Sequence, residues 1–379
     1  MRFETRSIYE GQSADPQTGS VTVPIYQTST FKQDAIGKTR GYEYSRSGNP
    51  TRDALEKAIS GLESCKYGLA FASGLAAENA ALSLLRPGDH VVASTDIYGG
   101  TYRLLNAVYA ANWGIKLSTV NPEKPEDFEK AITKDTKLVW LETISNPLLK
   151  VPAIDRITEI AHKADALLLV DNTFASPYFY RPAEHGADIV VHSTTKYITG
   201  HSQVIGGTLS VNNEKLYTKL KFHQNSIGAV QGPWDSWLTL LGLKTLHIRM
   251  ERHNENAQKL AEFLATHPKV KKVYFPGLPT HPSHAEAKRQ LTGFGGVVSF
   301  ELNGTRSDVE KFLARLKFVT LAESLGAVES LISYPWAMSH GSVPPEEKLK
   351  LGITETFIRF SVGIEHIDDL KEELAQALG

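Results

Sequence analysis

The stretch HSTTKYITGH (192–201) places one lysine, Lys196, beside the hydroxyls of Ser193, Thr194, Thr195 and Tyr197, directly after the apolar run Ile189-Val190-Val191. A lysine at the mouth of a sheet loses basicity by desolvation and becomes a nucleophilic amine, whereas a solvated lysine only hydrogen-bonds its neighbours. Three further features follow apolar runs in the same way. Asp171 ends Leu167-Leu168-Leu169-Val170, where a carboxylate is costly without a cationic partner unless it caps a turn in water. Ser73-Gly74-Leu75 follows Leu69-Ala70-Phe71 and opens a helical pattern. Backbone N–H groups and the positive end of a helix dipole would face an anion there, although Ser73 also reads as an ordinary N-cap. Tyr98-Gly99-Gly100-Thr101-Tyr102-Arg103 follows His90-Val91-Val92-Ala93-Ser94, and its first aromatic could stack on a planar ligand.

These four features share one location, since ligands of open α/β sheets bind outside the carboxyl ends of the strands. Together they meet the needs of pyridoxal phosphate: an amine for a Schiff base, a carboxylate facing the pyridinium nitrogen, a phosphate cradle and a flat group against the ring. Lys196, Asp171, Ser73-Gly74-Leu75 with Ser193 and Thr195, and Tyr98 would supply these in turn. Arg359 lies inside the apolar strand Phe357-Ile358-Arg359-Phe360. Its fork requires a carboxylate, either an internal Asp or Glu or that of an amino acid. Arg46, in Tyr44-Ser45-Arg46-Ser47-Gly48-Asn49-Pro50, belongs to a polar segment that either reaches a phosphate or lies on the surface. His192 with His201, and His281 with His284, lack further ligands at zinc-like spacing. They read as capping or loop histidines, and no metal site is expected. Trp234 and Trp237 read as packing residues.

The elements that position these groups alternate. Short apolar runs occur at 69–71, 90–93, 115–117, 137–141, 167–170 and 189–191, with helical patterns at 76–85, 125–132 and 154–164 between several of them. That alternation predicts an α/β fold with a largely parallel sheet covered on both faces. A long helical pattern over 235–266 follows, with Leu260, Phe263 and Leu264 at i, i+3, i+4 spacing. Strands at 297–302, 318–322, 330–334 and 357–362 and a helix at 367–378 predict a smaller C-terminal α+β domain. The expected division is an arm over 1–50, a large cofactor-binding domain over 51–245 and a small domain over 246–379.

Composition excludes several classes. A formal net charge of -1 gives no electrostatic reason to expect nucleic acid or a membrane surface. The single cysteine, Cys65, cannot form an intrachain disulfide and favours a reducing, cytoplasmic setting. The opening MRFETRSIYEGQ lacks an apolar signal region, and the apolar stretch near 69–85 is broken by Glu78 and Asn79. A dehydrogenase would carry G-x-G-x-x-G after its first strand, where this chain reads Ser73-Gly74-Leu75-Ala76-Ala77. A pyridoxal-free Schiff-base enzyme such as an aldolase gives Asp171 and the Ser73 turn no role. Loss of Lys196 would have signalled a non-catalytic binding protein on the same fold, and it is present.

The motifs YEYSRSGNPTR (42–52), FASGLAA (71–77), DIYGGTYR (96–103), ETISNP (142–147), VDNTFASPY (170–178), HSTTKY (192–197), LAESLGAVESLI (321–332) and IRFSVGIE (358–365) resemble the Cys/Met-metabolism enzymes that use pyridoxal phosphate. This is the trans-sulfuration group of cystathionine γ-lyase, cystathionine γ-synthase and their relatives. The resemblance runs from about Tyr26 to Ala377. It implies the aspartate-aminotransferase-like (type I) fold and a homotetramer of two tight dimers. It implies that Tyr44 and Arg46 reach the phosphate of a neighbouring subunit. Asn146 would touch the substrate carboxylate and the cofactor's ring hydroxyl, and Arg359 with Ser324 would hold the carboxylate. Glu323 and Arg103 would shape the distal pocket, and Tyr98 would act as acid or base near sulphur. The expected reaction is α,γ-elimination of L-cystathionine to cysteine, 2-oxobutyrate and ammonia. γ-Replacement on an O-acyl-homoserine and β-cleavage remain alternatives. Gln203 stands where an acidic residue is usual, and Ser333-Tyr334-Pro335-Trp336 is closer to bacterial synthases and β-lyases. Gly100 and Arg103 argue against a methionine γ-lyase.

Overall fold

In the computed structural model, which describes residues 1–339, 341 and 344–379, the apolar runs pair into one seven-stranded sheet. Its strands are β1 (Tyr67–Phe71), β2 (His90–Ser94), β3 (Lys116–Val120), β4 (Thr136–Glu142), β5 (Leu167–Asp171), β6 (Ile189–His192) and β7 (Gly207–Val211). Their spatial order is β1-β7-β6-β5-β4-β2-β3. The pairs from β3 through β6 are parallel, and β7 runs against both its neighbours. Alternation along each strand divides the apolar side chains between two faces. Val92, Val139, Leu168 and Val190 pack with Leu55 and Ile59 of the helix Pro50–Leu62 and Ile154 and Ile157 of the helix Ile154–Lys163. Val91, Trp140, Leu169 and Val191 pack on the opposite side with Ala77 and Ala81 of the helix Gly74–Leu82. Both faces are thus dry, which is why these strands read as continuous apolar runs.

The second sheet holds β8 (Val270–Tyr274), β9 (Val297–Leu302), β10 (Thr320–Leu321), β11 (Leu331–Ser333) and β12 (Phe357–Ser361), in the order β10-β11-β12-β9-β8. Phe300, Ile358 and Phe360 bury against Leu260 and Leu264 of the helix Leu246–Thr266, Phe312 of the helix Arg306–Ala314, and Leu374 of the helix Ile367–Leu378.

Several elements differ from the sequence reading. The helix expected over 235–266 is two helices, Pro233–Lys244 and Leu246–Thr266, broken at Thr245 (φ -112°, ψ 8°). The cause is Arg249, whose Nη2 donates to Gly242 O (2.7 Å) while Nε donates to Thr245 Oγ1 (3.1 Å), so the carbonyl near the helix end is satisfied from the side. The remaining guanidinium donors reach Tyr197 O (2.6 Å) and Ile198 O (3.2 Å), immediately after Lys196. Two strands escaped the reading. β7 follows the Gly206-Gly207 pair that suggests a turn, and β8 is an edge strand that exposes Lys271 and Lys272. The first fifty residues include one helix, Phe3–Tyr9, which buries Ser7 and sets Phe3 5.2 Å from the Tyr178 ring. Among the described residues no helix is long and apolar enough to cross a membrane.

Candidate active site

The carboxyl ends of β1, β4, β5 and β6, with the loop after β2, open onto one cavity of about 470 Å³. The seven-stranded sheet side contributes Ser73, Gly74, Leu75, Tyr98, Asn146, Asp171, Ser193, Thr195 and Lys196 to its lining. Arg359 from β12 and Glu323 and Ser324 from the loop after β10 complete it. Twelve of the fifteen residues singled out in the sequence therefore meet at one place, as the cavity lining shows. Tyr44, Arg46 and Arg103 are exposed and lie outside this lining. Arg46 stands over the Tyr44 ring (5.2 Å) and donates weakly to Asn225 Oδ1 (3.4 Å). Arg103 ends the short helix Gly99–Arg103 and, within one chain, does not shape the pocket.

Lys196 Nζ donates to Ser324 Oγ (3.2 Å). Burial pushes this ammonium down to about 8, assisted by the Arg359 charge and opposed by Asp171 and Glu323. Arg359, 5% exposed, donates from Nη1 to Asn146 Oδ1 (3.1 Å) and from Nη2 to Ser324 O (2.9 Å). Both acceptors are uncharged, its Nε has no partner, and burial lowers the guanidinium to about 10. The bond to Ser324 O also holds that residue at φ +93°, a conformation costly outside glycine. Asp171 Oδ1 accepts from Thr173 N (2.8 Å). Burial raises this carboxyl, while the Thr173 bonds and then the charges of His192 and Lys196 hold it down.

The residues expected to hold a phosphate stand together. Ser73 Oγ caps the helix Gly74–Leu82 by accepting from Ala76 N (3.1 Å), and the N–H groups of Gly74 and Leu75 precede the first intrahelical bond. A Cβ on Gly74 would stand 2.9 Å from Ser193 Cβ, so glycine is what lets the helix start touch the turn before Lys196. Thr195 Oγ1 accepts from Gly206 N (3.0 Å), and Thr173 Oγ1 accepts from Ser193 N (2.9 Å). An amine of lowered basicity, a buried carboxyl, a capped helix start and a buried guanidinium with an orphaned Nε form a donor set that suits pyridoxal phosphate and an amino acid.

The sequence reading missed Glu78, Glu142, Thr173, Phe174 and Ser333, which also line the cavity. Glu142 and Thr173 stand at or after strand ends, and Glu78 interrupts an alanine-rich helix; each is a signal that was on the page. His192 is not a cap or loop residue. It is 1% exposed and its Nε2 bonds Glu63 Oε1 (2.5 Å), which also accepts from Asn172 Nδ2 (2.8 Å).

Residues 4–379 match the family described as Cys/Met metabolism PLP-dependent enzyme. The chain is 52% identical to a cystathionine gamma-lyase of Dictyostelium discoideum, over 100% of this chain and 97% of that protein. It is also 52% identical to a cystathionine beta-lyase of Coxiella burnetii, over 99% of this chain and 97% of that one. Among solved structures, the cystathionine gamma-lyase of Lactobacillus plantarum complexed with L-serine superposes with a TM-score of 0.96 at 46% identity, covering 100% of this chain and 98% of that chain. The fold is the type I architecture, the cofactor is pyridoxal phosphate, and the chain belongs to the Cys/Met-metabolism family of PLP-dependent enzymes.

Proposed function

We propose that this enzyme cleaves L-cystathionine by α,γ-elimination to cysteine, 2-oxobutyrate and ammonia. The observation that carries the amino-acid part is Arg359, a buried cation whose two hydrogen-bond acceptors are uncharged and whose Nε has no hydrogen-bond partner among the described residues. Such a group is expensive to keep unless a ligand carboxylate completes it. The relatives' names support cystathionine as the substrate.

When bound, pyridoxal phosphate supplies the electron sink that acidifies the substrate's Cα–H bond. Ser73, Gly74, Leu75, Ser193 and Thr195 would hold its phosphate, Asp171 would serve its ring nitrogen and Tyr98 its ring. Arg359 and Asn146 fix the substrate carboxylate, which sets Cα near Lys196. Lys196 Nζ, uncharged and steadied by Ser324 Oγ, would take the proton from Cα, hand it on to the cofactor's C4′ carbon and, uncharged again, take one from Cβ. Loss of the Cβ proton drives out the sulphur at Cγ, and the Tyr98 hydroxyl protonates it. Water then completes release of the keto acid and ammonia. The same residues serve β-cleavage, which the beta-lyase relatives favour at equal identity. Tyr334 and Trp336, both buried behind β11, would then set the substrate's reach.

We further propose a homotetramer of two tight dimers, in a cytoplasmic setting. An arm over 1–50, a large domain over 51–245 and a small one over 246–379 divide each chain. Tyr44 and Arg46, exposed and remote from the cavity of their own chain, bind the phosphate in a neighbouring subunit, and Arg103 reaches the distal pocket once subunits meet.

Four outcomes follow. Holoenzyme with L-cystathionine alone should give 2-oxobutyrate; pyruvate would establish β-cleavage instead, and no keto acid would point to γ-replacement. Arg359→Lys should cut kcat/KM for cystathionine by about a hundredfold, roughly 3 kcal/mol, because the forked contact is lost. Lys196 Nζ reacts only uncharged, so capture of pyridoxal phosphate by the apoprotein, followed by absorbance, should accelerate as pH rises through about 8 rather than 10.5. Arg46→Ala and Lys196→Ala subunits, each inactive alone, should regain roughly a quarter of native activity when reassembled in equal amounts, since half the mixed dimers form and each has one intact site.

A further inference from the structure

Two buried carboxyl groups of the cavity take no part in the steps above. Glu142 ends β4 and is 6% exposed; Glu78 lies within the helix Gly74–Leu82 and is 4% exposed. Glu142 Oε1 accepts from the backbone N of Tyr98 (2.5 Å). Both oxygens of Glu78 face the Thr101 hydroxyl (3.0 and 2.9 Å). These bonds grip one short segment at its entry and its middle. Within the segment, Tyr102 N donates to Tyr98 O (3.0 Å) and the Tyr98 ring lies against Gly100. Tyr98 is 44% exposed, and a Cβ built on Gly99 would find only Ser339 O, at 3.8 Å. Two glycines therefore separate the Tyr98 ring from the buried Thr101, and glycine is the residue least able to hold a conformation by itself.

We propose that Glu78 and Glu142 are positioning residues that tether the Tyr98–Thr101 segment over the cofactor's ring. The inference rests on the reading of Tyr98 as the ring's neighbour. Each glutamate acts as an uncharged acid. Glu142 and Asp171 are register partners on adjacent parallel strands, and Glu78 faces the same cavity. Three carboxylates this close in a dry site repel one another; burial first and the Asp171 charge second push Glu78 and Glu142 well above the usual carboxylate range. A protonated carboxyl still accepts through its carbonyl oxygen. The second oxygen of Glu142, buried without a partner among the described residues, then becomes a donor. Asp171 is the member read as facing the ring.

Amide exchange over residues 97–103 of the apoprotein tests the tether without the cofactor. Glu142→Gln and Glu78→Gln keep the acceptor and never carry charge, so exchange should stay within about twofold of native, whereas Glu142→Ala and Glu78→Ala should speed it about tenfold, one buried hydrogen bond's worth. Thr101→Val removes the Glu78 bond from its other end and should match Glu78→Ala, which guards against a fold defect in the glutamate variants. In the holoenzyme the Ala variants should release the cofactor about tenfold more readily and lose induced circular dichroism, and the Gln variants should not. Native exchange in all variants would overturn the tether. Equal loss in Gln and Ala variants would overturn the uncharged role. If Tyr98→Ala keeps native cofactor affinity and dichroism, the reading of Tyr98 fails, and the exchange data still judge the tether.

Discussion

Lys196, Arg359, Asp171, Glu78 and Glu142 face one cavity in which loss of water is the first influence on the charge of each. In bulk water the lysine would be a spectator ammonium and the carboxyls ordinary anions. Here burial favours neutral forms, and local contacts decide which groups stay charged. Asp171 accepts from Thr173 N, Glu142 from Tyr98 N and Glu78 from the Thr101 hydroxyl. Arg359 stays charged because a guanidinium holds its proton even at a lowered affinity. One dry site thus gathers an amine of lowered basicity, a guanidinium and three carboxyls whose protons are held more tightly than usual.

Sheet geometry brings these groups together. Parallel strands end on the same side, so residues distant in sequence, such as Phe71, Glu142, Asp171 and His192, finish at one edge. The second sheet approaches that edge with the middle of β12. Arg359 reaches across to Asn146, and Ser324 meets Lys196, so a short polar chain joins the two sheets beside the apolar packing of Val297 and Leu325 with Ile144 and Phe174.

The sequence made the parallel sheet legible because its strands are dry on both faces and lack polar interruption. The strand-end rule then collected Lys196, Asp171, Ser73 and Tyr98 from separate motifs. What escaped was what the rule does not weigh. β8 carries two exposed lysines at a sheet edge, and the break at Thr245 depends on Arg249, whose side chain works at a distance from its own turn. Glu78 and Glu142 look like surface or capping residues until burial is known. His192 was read by its position at a strand end, yet Glu63, far earlier in the chain, determines its surroundings. Tyr44, Arg46 and Arg103 mark the other boundary: a single chain gives them no partner at the cavity.

The Arg249 clamp has a mechanical consequence. Its guanidinium grips the backbone just after Lys196 and the end of the preceding helix, but it belongs to the helix that leads into the five-stranded sheet. The first turn of that helix is therefore anchored to the half of the molecule that carries the amine. Any swing of the second sheet must flex beyond this anchor. The backbone after Lys196 and the start of this helix are thus held to one another through a single side chain, ahead of the point where the chain turns to the second sheet.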